Sequence, residues 1–138
     1  MNLEQQFRER LRSADERLTT SRLSVFRLLL RHAPLSMSSL IYRAKEDGTD
    51  PATTYRTLAL FQKLGLVQEF GLGRNRLLEL SDRYHTHHHH FTCANCGKIL
   101  DFDNEPIEQE LQRAAGQAGF EIRSHQLEAT GLCTECRA

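Results

Sequence analysis

The chain has little with which to enter a membrane. None of its apolar runs approaches the ~20 residues of a transmembrane helix, and the opening Met1-Asn2-Leu3-Glu4-Gln5-Gln6 lacks the apolar stretch of a secretory signal. The expectation is a cytoplasmic protein with no membrane partner and reduced thiols. It has no internal repeat and no low-complexity tract beyond one histidine run. It also has no HExxH segment, and its histidine run is expected in a strand rather than on a helix. That argues against a zinc hydrolase, and so against an enzyme or a small organic substrate. Cysteine is scarce: there are four, and all four fall in two CxxC units, so none is left over.

Net charge is zero, with 18 Lys+Arg against 18 Asp+Glu in 138 residues, but the balance hides an asymmetry. Residues 1–83 carry 14 basic and 10 acidic side chains, and residues 84–138 carry 4 and 8. Six of the seven histidines, at 85, 87, 88, 89, 90 and 125, lie in the second part. The basic part is the one suited to a polyanion, the acidic part the one suited to metal.

Periodicity divides the chain further. Leu3, Phe7 and Leu11 recur at helical spacing over 3–13. Thr19 or Thr20 can cap a second helix to about Arg31, with Val25, Phe26, Leu29 and Leu30 in one stripe, stopped by Ala33-Pro34. Ser36 can cap a third over 37–46. Asp50-Pro51 couples an N-cap carboxylate to proline in the first turn and starts a fourth, which runs to about Leu64 before Gly65. Residues 66–70 and 76–80 read as a hairpin around Gly71-Leu72-Gly73. The expected fold is α+β: a winged helix-turn-helix over 1–80, a hinge at 81–86, and a small α/β domain over 87–138. In that domain strands at about 88–93 and 98–102, a helix at about 105–118 and a strand at 120–130 are expected.

Three groups of residues carry chemistry. Cys93/Cys96 and Cys133/Cys136 offer two thiolate pairs at the bite of a tetrahedral ion, which points to a structural Zn²⁺. His87-His88-His89-His90 leads into Phe91. In a strand, His88 and His90 point one way and His87 and His89 the other, so the run can serve two sites. Glu79, Asp101, Glu108 and His125 are candidates to complete them, for Zn²⁺, Fe²⁺, Mn²⁺ or Co²⁺. On the fourth helix Ala52, Leu58 and Phe61 are expected to face the other helices, with Thr54 near them. Thr53, Tyr55, Arg56 and Thr57 then face outward, suited to phosphates and base edges of double-stranded DNA. Arg22 and the arm Arg8, Arg10, Arg12 and Arg17 are candidate phosphate partners.

Over nearly its whole length the chain resembles the ferric uptake regulator family. The match rests on Leu18-Thr19 with Arg22, Ala52 to Leu58, Gly65-Leu66-Val67, His87 to His90, Cys93 to Lys98, Gly119-Phe120, His125 and Gly131 to Cys136. The resemblance implies a homodimeric, metal-activated repressor that binds operator DNA, with a winged-helix reader and an α/β dimerisation domain. It implies a structural zinc on Cys93, Cys96, Cys133 and Cys136. It implies a sensory site between the domains on Glu79, His88, His90 and Asp101, and a third site on His87, His89, Glu108 and His125. Pro34 stands where many members have a sensory histidine; His32 and His85 are substitutes. Thr54 stands where valine is usual. Asp101, where iron regulators often have Glu, resembles peroxide-sensing members. His89, where they often have Asp, resembles zinc regulators. The expected function is repression of metal-homeostasis genes with zinc as co-repressor, or alternatively with iron, including iron-based peroxide sensing.

Overall fold

The computed structural model describes residues 2–138. The chain forms two compact units that meet between Thr86 and His87. The first holds four helices, α1 (Leu3–Ser13), α2 (Thr20–His32), α3 (Met37–Glu46) and α4 (Pro51–Lys63), followed by the hairpin β1 (Val67–Phe70) and β2 (Leu77–Leu80).

Each helix of this unit begins at a side-chain cap that satisfies an otherwise orphaned backbone N–H. Asn2 and Gln5 cap α1 reciprocally. Thr19 accepts from the Arg22 N–H at 3.1 Å, Ser36 from Ser39 at 3.2 Å, and Asp50 from Thr53 at 2.9 Å. Beyond α4, Gly65 takes a left-handed backbone at φ 68°, which glycine adopts without steric cost. The Leu64 carbonyl at that helix end receives Arg10 Nη2 at 2.9 Å, tying α1 to α4.

The apolar stripes meet in one core. Phe7 stacks on Phe26 at 4.1 Å between ring centroids and meets Phe61 edge-on at 5.4 Å. Leu11, Val25, Leu29, Leu40, Leu58, Leu66, Leu78 and Leu80 surround them. The stripe of α2 differs from expectation at one position: Leu28 is buried and Leu30 is exposed. The turn of α2 directs Leu28 inward with Val25 and Leu29, and Leu30 outward. Leu35 also pairs with Leu78, with mutual backbone bonds of 3.0 and 2.7 Å, adding a bridge beside β2.

The wing is antiparallel, with Gln68 opposite Glu79. Its turn depends on Gly71. At φ 99° this residue lies where side chains are strained, and a Cβ there would run into the Asn75 carbonyl oxygen. The connector after β2 is less polar in its role than in its composition. Tyr84 is buried in the first unit's core, edge-on to Phe26 at 5.2 Å.

The second unit contains β3 (His89–Cys93), β4 (Ile99–Phe102), α5 (Glu105–Gln117) and β5 (Glu128–Gly131). Its sheet has the order β4-β3-β5, with β3 antiparallel to β4 and parallel to β5. Asn104 caps α5 by accepting from the Ile107 N–H at 3.1 Å. The strand expected over 120–130 is confined to 128–131. The ladder with β3 starts only at Glu128, so the residues before it have no strand to pair with, and the chain from 120 is irregular.

Replacing Phe26 with alanine removes the ring that Phe7 and Tyr84 both pack against. The expected cost is about 3–5 kcal/mol, read as a lowered denaturation midpoint for the helical signal.

Candidate metal centres and nucleic-acid interface

The four cysteines converge. Cys93 ends β3, Cys96 lies in the following turn, and Cys133 and Cys136 lie beyond β5. Their sulfur atoms all lie within 4.8 Å of one another. All four are free thiols. Cys96 Sγ and Cys133 Sγ are 3.7 Å apart, far beyond the ~2.05 Å of a disulfide. A tetrahedron of Zn–S bonds of about 2.3 Å has an edge of about 3.8 Å, so the spacing suits one zinc ion.

Electrostatics leads to the same demand. Backbone N–H groups of Cys96 and Cys133 pull the Cys93 thiol down to about 6. At Cys96 the Lys98 N–H favours the thiolate, yet the Cys93 sulfur, burial, and the sulfurs of Cys133 and Cys136 push it up to about 11. Four sulfurs this close cannot all be anionic unless a cation sits among them. Two contacts orient the set: Asn95 Nδ2 donates to Cys136 Sγ at 3.3 Å, and the Cys133 N–H to Cys93 Sγ at 3.4 Å. Asn95, inside the first CxxC, carries no sequence signal for this role beyond its place in that turn.

A second cluster joins β3, α5 and the segment before β5. The ligand atoms of His87, His89, Glu108 and His125 lie within 4.8 Å of one another. His87 Nε2 is 3.2 Å from His89 Nε2 and 3.2 Å from Glu108 Oε1. His125 Nε2 lies 2.8 Å from Glu108 Oε2, and His89 Nε2 also contacts Glu108 Oε1. Glu108 is held down at about 2, first by the His89 contact and further by His125 and His87. Three ring nitrogens and a carboxylate facing inward at these separations approach the ~3.3 Å edge of a tetrahedral zinc with nitrogen and oxygen ligands.

On the opposite face of β3 the rings of His88 and His90 lie 4.8 Å apart, and His90 Nε2 is 3.6 Å from Asp101 Oδ1. Asp101 is the register partner of His90 on β4. Glu79 is buried on β2 of the first unit, where Gln68 Nε2 donates to its Oε1 at 2.6 Å. Gln68 went unnoticed in the sequence because its pairing with Glu79 depends on the wing's register. His85 sits against the backbone, with Nδ1 2.9 Å from the Thr86 carbonyl and Nε2 against that of Leu80. His32 is exposed in the last turn of α2.

On α4, Tyr55 is 53% exposed and Arg56 is exposed. Thr53 is half-buried near the cap. Thr57 departs from the outward orientation expected of it. It is 5% exposed and lies with Thr54, Leu58 and Phe61 on the buried face, because positions three, four and seven residues apart share a helix face. Ala52 is exposed instead. Part of the basic arm, Arg8 and Arg10, is engaged within the unit, as are Arg22 and Arg27. Arg8 and Arg27 both pair with Glu4 at 2.9 Å. Arg22 pairs with Glu16 at 3.0 Å, and Arg10 reaches Leu64.

A capped helical unit with an exposed Tyr-Arg pair and a wing is thus followed by a unit rich in clustered cysteine, histidine and carboxylate side chains. The family model described as the ferric uptake regulator family matches residues 13–130. The peroxide operon regulator of Bacillus subtilis is 34% identical over 134 residues, covering 93% of this chain and 89% of its own length. A ferric uptake regulator from Pseudomonas aeruginosa, solved with manganese, superposes with a TM-score of 0.78 at 26% identity, over 91% of this chain and 96% of its own. A zinc uptake regulator solved with zinc and DNA superposes with a TM-score of 0.59 at 28% identity, over 98% of this chain and 93% of its own. The chain belongs to the ferric uptake regulator family.

Changing Cys136 to serine removes one corner of the thiolate tetrahedron. Elemental analysis after mild chelation is expected to find about one zinc per chain in the wild type and little in the variant.

Proposed function

We propose that this protein is a homodimeric repressor of metal-homeostasis genes that grips operator DNA when a sensed divalent cation is bound, with zinc as the favoured co-repressor. The observation that carries the reading is the division of four consecutive histidines between two sides of the chain where it enters β3. His87 and His89 have ring centroids 4.6 Å apart on one side, and His88 and His90 4.8 Å on the other. Such crowding of ring nitrogens beside carboxylates suits a cation that each pair can share.

In this reading the thiolate site holds a structural zinc that closes the second unit. His88, His90 and Asp101, with Glu79 contributed by the wing, are the sensory ligands. His87, His89, Glu108 and His125 form a further site. The domain limits are a reader over 1–80, a hinge over 81–86 and a dimerisation domain over 87–138. A bound cation supplies the positive charge that lets the sensory carboxylates and imidazoles converge. To move a population of readers from 1:99 to 99:1 in favour of the DNA-competent form, its preference for that form must be about 5.5 kcal/mol. Tyr55 and Arg56 are the readers on α4; Thr53 lies beside them. Acid weakens the response, since ligating imidazoles must be neutral.

Zinc is favoured because one cluster holds three imidazoles with a single carboxylate. Iron, including iron-based peroxide sensing, is the second reading, supported by the oxygen ligand Asp101 beside His90. Metal-free protein with its thiolate zinc intact is expected to bind operator DNA weakly, and micromolar Zn²⁺ to restore binding. Replacing His88 and His90 with alanine is expected to abolish that restoration. Activation by anaerobic Fe²⁺ but not by Zn²⁺ would transfer the assignment to iron. Operator binding that stays equally tight after stripping, in wild type and variant alike, would end the sensing proposal.

Dimerisation is supported by what the second unit leaves uncovered. Phe91, Leu100, Phe120 and Leu132 are 47%, 48%, 75% and 54% exposed, and α5 has no buried residue. Apolar surface on this scale marks an interaction face. Sedimentation is expected to give twice the chain mass, and glutamate at Leu100 and Phe120 to shift it toward the single chain.

A further inference from the structure

Arg56 is not a free arm. Its Nη2 donates to Thr53 Oγ1 at 3.2 Å, one turn back along α4. Thr53 Oγ1 in turn donates to Asp50 Oδ2 at 2.7 Å. The Thr53 backbone N–H donates to the other carboxylate oxygen, Oδ1, at 2.9 Å. The polarity of this chain is forced. A hydroxyl has one hydrogen, and an ionised carboxylate can only accept, so the Thr53 hydrogen goes to Asp50. What remains on Thr53 Oγ1 is lone pairs, and a guanidinium has only donors to offer them. The Asp50 carboxyl is held below its usual range, first by the Thr53 backbone N–H and then by its hydroxyl, with Arg56 also favouring the anion. The acceptor at the end of the chain is therefore ionised under ordinary conditions.

We infer that Thr53 is a positioning residue of the DNA-reading helix: fixed by the Asp50 cap, it aims the Arg56 guanidinium at one guanine of the operator. The inference rests on α4 being the reading helix. A single Nη2 bond leaves the other guanidinium donors available, enough for the paired contacts to guanine O6 and N7 that arginine makes in a major groove. Ordering a long arginine side chain costs rotamer freedom, and a side chain already held along the helix has less to lose. Thr53 is half-buried against the cap, so its contribution is to hold Arg56 rather than to touch a base. Tyr55, on the exposed face, has no such tie among the described contacts with Asp50 and Thr53.

The test uses the whole 138-residue chain loaded with Zn²⁺ and a duplex it selects from a random-sequence pool. Thr53→Val keeps the branched shape and the backbone cap but removes the hydroxyl. Its discrimination at one guanine, measured against the same duplex with that pair changed, is expected to fall about tenfold, which is part of what one paired arginine contact supplies. Binding to unrelated DNA and the salt dependence should stay as in wild type, and Thr53→Ser should restore discrimination. In an Arg56→Lys background, Thr53→Val should change nothing further, because the group it positions is gone. If Thr53→Val melts early, Asp50→Asn replaces it, keeping one oxygen for the cap while removing the second acceptor. Three results would overturn the inference: unchanged discrimination in Thr53→Val; equal loss on every sequence with a shallower salt dependence, the mark of a phosphate contact; or full additivity with Arg56→Lys. A wild-type protein that selects no sequence would instead overturn the assignment of α4 as a reader.

Discussion

The second unit is organised around polar groups drawn into close clusters. Four sulfurs crowd one end of its sheet, and three imidazoles with a carboxylate crowd another face. In most small domains an apolar core supplies the cohesion, yet the buried residues here are Cys93, Thr92, His89 and His90. Four thiolates at such separations are unfavourable until a cation is placed among them. In the reading proposed above, binding that cation would add directly to the cohesion of the unit. The first unit is built the other way, with Phe7, Phe26 and Phe61 at the centre of an apolar core. Its cohesion comes from that apolar core.

Much of this was legible in the chain. The caps Thr19, Ser36, Asp50 and Asn104 fall where their side chains can reach a backbone N–H three residues on, a local rule that needs no tertiary information. The CxxC units and the alternation of His87 to His90 are likewise local, because bite and strand period follow from backbone geometry. The family follows from those same residues and from the match over 13–130.

What the chain concealed depends on neighbours. Thr57 and Ala52 exchange their expected faces because the rotation of α4 is set by where Thr54, Leu58 and Phe61 find a core. Tyr84 lies among polar residues, so nothing local marks its ring as a partner of Phe26. The arginines of the first helix looked available, but Glu4 holds Arg8 and Arg27 together, and such an arrangement appears only once two helices are side by side. The short final strand has the same origin: residues 120–127 have no ladder to join, so an apolar pattern there does not become a strand.

The glycine at the wing's turn has a reach beyond its own loop. Gly71 sits where a side chain would strike the Asn75 carbonyl, so a turn of this length requires glycine there. That length sets Gln68 against Glu79. A hairpin exchanges its two surfaces with each one-residue slip, so one inserted or deleted residue near position 73 would swing the Glu79 carboxylate to the other side of the ribbon while every side chain named above remained in the sequence. Chains that share all of those side chains can then differ in what Glu79 faces through loop length alone.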